Sequence, residues 1–105
     1  MESHDRRVLS PGEPVPAGVT DAGQTPSAPR VQALLTSGVP VLVELVSDDT
    51  EPDPGLLAAA SVYAWLGVTV FRAPDTQHPA LVQVLDMVAS VEGSRPPALS
   101  RRGLA

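Results

Sequence analysis

The longest apolar run of the chain, Val39-Pro40-Val41-Leu42-Val43-Glu44-Leu45-Val46, is rich in β-branched residues and has Glu44 as its only polar position. Near-continuous apolar strands of this kind belong to parallel sheets covered on both faces. An acidic loop follows, then an Ala-rich segment from Pro54 to Leu66, Gly67, and a second run, Val68-Thr69-Val70-Phe71, that stops at Arg72. The order strand, helix, strand is a βαβ crossover, the unit of parallel α/β folds. Asp53-Pro54 suits the cap and first turn of the crossover helix, and Gly67 suits its end. Leu56, Leu57, Ala60, Tyr63, Ala64 and Leu66 supply its apolar surface, with small alanines permitting close approach to the sheet.

Two flanking helices extend the pattern. Ser27 and Pro29 mark a start, Val31, Leu34 and Leu35 share one face, and Gly38 marks a stop. From Thr76 or Pro79 to Val91, the residues Leu81, Val84, Leu85, Val88 and Val91 recur at three- and four-residue steps. That spacing predicts an amphipathic helix, which Gly93 ends. Residues 1–29 are rich in Pro, Gly, Ser and Thr, show no apolar period and read as a disordered leader. Residues 94–105 read as a tail, with Arg95, Arg101 and Arg102 beside Pro96-Pro97. The expected fold class is α/β: a small α-β-α-β-α unit over residues 30–93 with a two-stranded parallel sheet. Two parallel strands leave two edges open, and such a sheet is rarely stable alone. Pairing with a second copy, or with another α/β protein, is the expected consequence.

Composition narrows the function classes. The 105 residues carry a formal net charge of −5, which argues against nucleic-acid binding through the whole domain. Lysine is absent, so no lysine chemistry is available. Absent cysteine removes disulfides, thiolate metal sites and cysteine nucleophiles, and suits the cytoplasm. Met1 to Ser10 lacks the apolar region of a secretory signal. Gly55 to Phe71 is uncharged over a borderline membrane length, yet Gly67 divides it into helix and strand, so no membrane span is expected.

Parallel α/β folds place their chemistry past the carboxyl ends of the strands. Those ends carry Ser47, Asp48 and Asp49 on one side and Arg72 to Asp75 on the other. Asp48, Asp49, Glu51 and Asp53 lack the glycine and distal glutamate of a calcium loop, so they read as a solvated acidic loop and no metal is expected. Glu44 lies in a buried-looking strand and needs a partner, which an interface or an arginine such as Arg72 would supply. His4 and His78 stand isolated, with no serine or cysteine placed for a triad. The glycines form no phosphate-binding loop, and the tail arginines read as solvated.

Over about residues 30–92 the chain resembles the carboxyl-terminal quarter of dihydropteroate synthase, a (β/α)8-barrel enzyme of folate synthesis. Val31 to Gly38 followed by Val39-Pro40-Val41-Leu42-Val43 resembles that family's helix and penultimate strand. Leu56 to Leu66 with Gly67-Val68-Thr69-Val70-Phe71-Arg72 resembles its last crossover helix and last strand. Asp75 and the helix through Leu85-Asp86-Met87-Val88 resemble its final turn and helix. The resemblance implies the last part of a TIM barrel, with no earlier strand recognisable and hence an incomplete pterin pocket.

The family ends its penultimate strand with Ser-Arg-Lys, whose cations serve the pterin and the aminobenzoate. Here Ser47 keeps the serine position, while Asp48 and Asp49 reverse both charges. The family's last strand ends in Arg-x-His, which helps hold the substrate's pyrophosphate. Arg72 matches the arginine, Pro74 stands at the histidine position, and His78 lies about one helical turn further on. The resemblance leaves Ser47, Arg72 and Asp75 as candidate phosphate- or pterin-binding residues, and no catalytic residue. A guanidinium suits bidentate anion recognition, and the helix start near Thr76 adds amides. The competing and favoured reading pairs Arg72 with a carboxylate of Asp48, Asp49, Glu51, Asp53 or Asp75.

These readings point to a non-catalytic, dihydropteroate-synthase-like accessory or interaction protein linked to folate biosynthesis, with no cofactor. Its expected partner is a second copy or a complete synthase-type α/β protein, not nucleic acid or a membrane. The alternative is a pterin- or phosphate-binding, or synthase-type, role completed by a partner subunit.

Overall fold

Val41, Leu42 and Val43 are fully buried, so the strand they form needs neighbours on both edges and cover on both faces. The computed structural model describes residues 6–94 and shows how each is supplied. The elements are β1 (Arg7–Leu9), β2 (Thr20–Gln24), α1 (Ala28–Leu35), β3 (Val41–Glu44), α2 (Pro54–Leu66), β4 (Val70–Arg72), a 3-10 turn (Asp75–Gln77) and α3 (His78–Ser94). All strand pairs are parallel, in the order β1-β4-β3-β2.

The α/β class holds, with four strands in the sheet rather than two. The added pair comes from the leader that reads as disordered: β1 and β2 both lie within residues 1–29. They flank the β3–β4 pair, covering the edges that a lone βαβ unit would leave open. A three-residue strand has no period to read, and the partners lie far along the chain: Leu9 aligns with Arg72, Thr20 with Val41. In β2 a register shift between Asp21 and Gln24 accompanies Gly23, which sits at φ +91°. Glycine reaches that left-handed region without steric cost, so it fits a bulge.

Two further boundaries move. Val68 is buried but precedes β4, and α3 runs through Gly93 to Ser94 instead of stopping there. Ser94 is the one tail residue described; the tail arginines and Pro96-Pro97 lie outside the described residues. Among the described residues no helix is long and apolar enough to cross a membrane.

Alternation along each strand sends side chains to two faces. Val41, Val43, Leu45 and Phe71 pack with Val31 of α1, Leu56, Ala60, Tyr63 and Ala64 of α2, and Leu81 and Leu85 of α3. Leu9, Leu42 and Val70 form a separate cluster, and the residues packed on it are Val15 and Val19, from the β1–β2 connection rather than from a helix. Topology dictates that cover. β1 and β2 occupy opposite edges, so residues 10–19 must cross a sheet about 14 Å wide between its outer strands.

The helix ends are closed locally. Ser27 Oγ accepts from the Arg30 amide at 3.3 Å, and Gly67, at φ +122°, returns its amide to Ala64 O and Tyr63 O. The Tyr63 hydroxyl donates to Pro26 O, and burial raises its pKa above the ordinary 10.0. Arg6, whose side chain is only 5% exposed, closes α2 from outside. Its Nη2 donates to Ala64 O at 3.0 Å and to Glu92 Oε1 at 3.2 Å, and its Nε donates to Val68 O at 3.3 Å. A cation at a helix carboxyl end also complements the dipole. Arg6→Ala is therefore expected to lower the unfolding free energy by about 1.5–3 kcal/mol, read as a lower urea midpoint. An unchanged midpoint would remove Arg6 from the list of structural contacts.

Candidate functional site

Strand register decides which polar residues meet at the carboxyl end of the sheet. Glu44 aligns with Arg72 across β3 and β4. Alternation places them one layer beyond Leu42 and Val70, on the same face. Arg72 Nη2 donates to Glu44 Oε1 at 2.9 Å and reaches Asp21 Oδ2 of β2 at 3.5 Å. Its Nη1 donates to Glu13 O, in the segment crossing the sheet, at 3.0 Å. The side chain is 13% exposed, and its buried Nε has no hydrogen-bond partner among the described residues.

Arg72 therefore has carboxylate partners, but not those of the acidic loop, nor Asp75. The loop acids leave the sheet beyond the strand end, whereas register sets Glu44 directly alongside. Asp21 has no candidate role in the sequence, because nothing there marks Thr20–Gln24 as a strand.

The loop after β3 is tied at both ends. Ser47 Oγ donates to Asp53 Oδ2 at 2.7 Å and accepts from the Asp49 amide at 3.1 Å. Asp53 caps α2, its Oδ1 accepting from the amides of Gly55 at 3.0 Å and Leu56 at 3.3 Å. The Ser47 hydroxyl first, then the Leu56 amide, holds the Asp53 carboxyl below its ordinary pKa of 3.8. Gln77, fully buried in the turn after β4, closes the loop from the other side. Its Oε1 accepts from the Asp53 amide at 2.8 Å, and its Nε2 donates to Glu51 O at 2.9 Å and Asp49 O at 3.1 Å. Both amide hydrogens are thus engaged. Thr76 Oγ1 adds a bond to Asp49 O at 3.1 Å. The side chains of Asp48, Asp49 and Glu51 remain in solvent. Among the described residues no three His, Asp or Glu side chains gather to hold a metal ion.

Asp75 belongs to a third set. Its Oδ1 accepts from Ser10 Oγ at 2.6 Å and lies 3.7 Å from His78 Nε2. His78 Nε2 is 2.8 Å from Ala73 O, and a carbonyl only accepts, so that nitrogen carries the hydrogen. Ser47, Arg72 and Asp75 share one end of the sheet, yet each answers to different partners: Asp53, Glu44 with Asp21, and Ser10. Gln77 and Arg6 carry no sequence signal that singles them out, because each acts on segments far away in the chain.

No family profile and no solved structure matches the chain. Among curated proteins, the "Inactive dihydropteroate synthase 2" of Mycobacterium leprae is 40% identical over 86 residues, covering 72% of this chain and 29% of that protein. The proteins of the same name from Mycobacterium bovis and Mycobacterium tuberculosis are 39% identical over 86 residues, covering 72% of this chain and 26% of each. The chain is dihydropteroate-synthase-like. It spans 26–29% of the length of these relatives. A match over 72% of the chain is longer than residues 30–92, so the likeness extends beyond the stretch that the strand-end motifs mark.

Two tests address the loop of this dihydropteroate-synthase-like chain. Gln77→Leu takes their partner from the Asp53 amide and the Glu51 carbonyl and leaves the Asp49 carbonyl to Thr76 alone, and is expected to cost about 1–3 kcal/mol and to speed hydrogen exchange at Asp53. Parent-like exchange at Asp53 would refute the staple. Because the Asp53 pKa is depressed, its contribution is full above 3.8 and fades as pH falls through the lower folded value. Asp53→Asn keeps a competent cap but cannot titrate. Its melting temperature should therefore fall less steeply than the parent's on acidification below 3.8; parallel curves would exclude Asp53 as the source.

Proposed function

We propose that this chain is a non-catalytic accessory protein that acts by associating with another protein, in the cytoplasm and in connection with folate biosynthesis. The observation that carries the reading is the neutralised guanidinium of Arg72, held by Glu44 and Asp21. A pyrophosphate placed there would meet those carboxylates. A carboxylate about 4 Å from a phosphate charge opposes it by roughly 4 kcal/mol at an effective dielectric of 20. Asp48 and Asp49 stand exposed in the neighbouring loop, adding repulsion where the resembling enzymes carry cations.

The names of the relatives, which call those proteins inactive, support the same reading, and the folate connection rests on those names alone. The partner within this reading is a second copy or a complete synthase-type protein. The test is calorimetry of the full chain with a pterin pyrophosphate, alongside an assay for dihydropteroate formation from it and p-aminobenzoate. Neither heat of binding nor product is expected. Binding by the parent that is lost in Arg72→Ala would overturn the reading in favour of a ligand-binding role.

A further inference from the structure

A groove of about 440 Å³ lies between α2 and α3, lined among others by Val62, Trp65, Leu66, Val84, Met87 and Val91. We propose that residues 95–105 of this same chain fold back into it, closing the groove from within the molecule. The inference goes beyond the association reading above and does not rest on it.

Position is the first argument. Arg6 Nη2 donates both to Ala64 O of α2 and to Glu92 Oε1 of α3, so the carboxyl ends of the two helices lie side by side. The lining comes from those same ends. Val62, Trp65 and Leu66 belong to the last two turns of α2, and Met87 and Val91 to the carboxyl half of α3. Val84, Met87 and Val91 recur at helical spacing, and the next positions on that face are 94 and 95. The chain therefore leaves α3 on the side of the groove. Pro96 and Pro97 bar the helix from running past it.

Tethering and reach select the occupant. From Val84 to Val91 the lining extends about 10 Å along the helix. Five residues of extended chain span about 17 Å, so Leu99 reaches any part of it from Ser94. A segment attached that close meets the groove at an effective concentration of roughly millimolar. A second copy, or any other protein, must arrive from solution and lose its overall freedom of motion.

Composition agrees with position. Ala98, Leu99 and Leu104 suit the apolar lining. Arg95, Arg101 and Arg102 give residues 95–105 a formal charge of +3, against −8 on the rest of the chain. Neither α2 nor α3 has a basic residue in its last turn, so these arginines also complement the negative ends of both helix dipoles. A second copy brings a net charge of −5 to the same place and is opposed.

Trp65 is the only tryptophan of the chain and lines the groove, so its fluorescence reports on the cover. The full chain is compared with a variant carrying both Leu99→Asp and Leu104→Asp. The variant is expected to emit at longer wavelength and to be quenched more strongly by acrylamide. Val82→Asp is the control, since Val82 is exposed on α3 but does not line the groove, and it should leave both readings unchanged. Circular dichroism checks that each protein is folded. If the double variant is not, Arg101→Gln with Arg102→Gln replaces it under the same expectation. Identical emission and quenching in variant and parent, or a control that shifts them as far, would overturn the inference. So would quenching of the parent that falls as its concentration rises, which would assign the cover to a second copy. The non-catalytic reading is unaffected by any of these, because it stands or falls on pterin pyrophosphate binding.

Discussion

The pairing of Arg72 with Glu44 joins more of this structure than any other contact described. Arg72 ends β4, the strand between β1 and β3. Its guanidinium grips β3 through Glu44, β2 through Asp21 and the crossing segment through Glu13 O. A partly exposed ion pair contributes modest stability by itself. The value of this one is geometric. A shift of one residue between β3 and β4 would turn the side chains to the opposite face, driving Glu44 into the helix-covered core as an unpartnered charge. The pair therefore penalises wrong registers as well as stabilising the right one.

That constraint follows from a sheet with its helices on one side. The opposite face carries an apolar cluster of Leu9, Leu42 and Val70 and, interleaved with it, the polar set of Asp21, Glu44 and Arg72. In a closed barrel this face would be enclosed by further strands. Here residues 10–19 close it, with Val15 and Val19 on the apolar cluster and Glu13 O on Arg72. Ser10 bonds Asp75, and Gln77 draws the loop after β3 onto the turn after β4.

What was legible in the sequence was whatever is encoded locally. β3 and α2 announce themselves through an apolar run, the Asp53-Pro54 cap and Gly67, and Ser27 marks α1 in the same way. β1 and β2 carry no such mark. Thr20 to Gln24 is mostly polar with a bulge, and becomes a strand only because β3 offers it an edge. Glu44 was legible as a strand carboxylate that an arginine such as Arg72 could satisfy, but Asp21 was hidden with its strand, and preferring these two over the nearer-looking loop acids requires the register. Gln77 was hidden more deeply. A glutamine ahead of an amphipathic helix is ordinary, and its importance comes from backbone groups of Asp49, Glu51 and Asp53 that only the folded chain brings to it.

The two residues that most invite an enzymatic reading can be explained without one. Ser47 supplies the hydroxyl that steadies Asp53, and Asp53 caps α2. Arg72 holds strands and crossing segment together. Either residue would remain useful to this fold whether or not a ligand ever reached the sheet. Their presence alone therefore carries no weight for retained chemistry. The informative positions are Asp48 and Asp49, which form no part of the cap or the staple through their side chains and stand in solvent. A position free of structural duty is free to keep a cation if binding requires one, and these two carry the opposite charge.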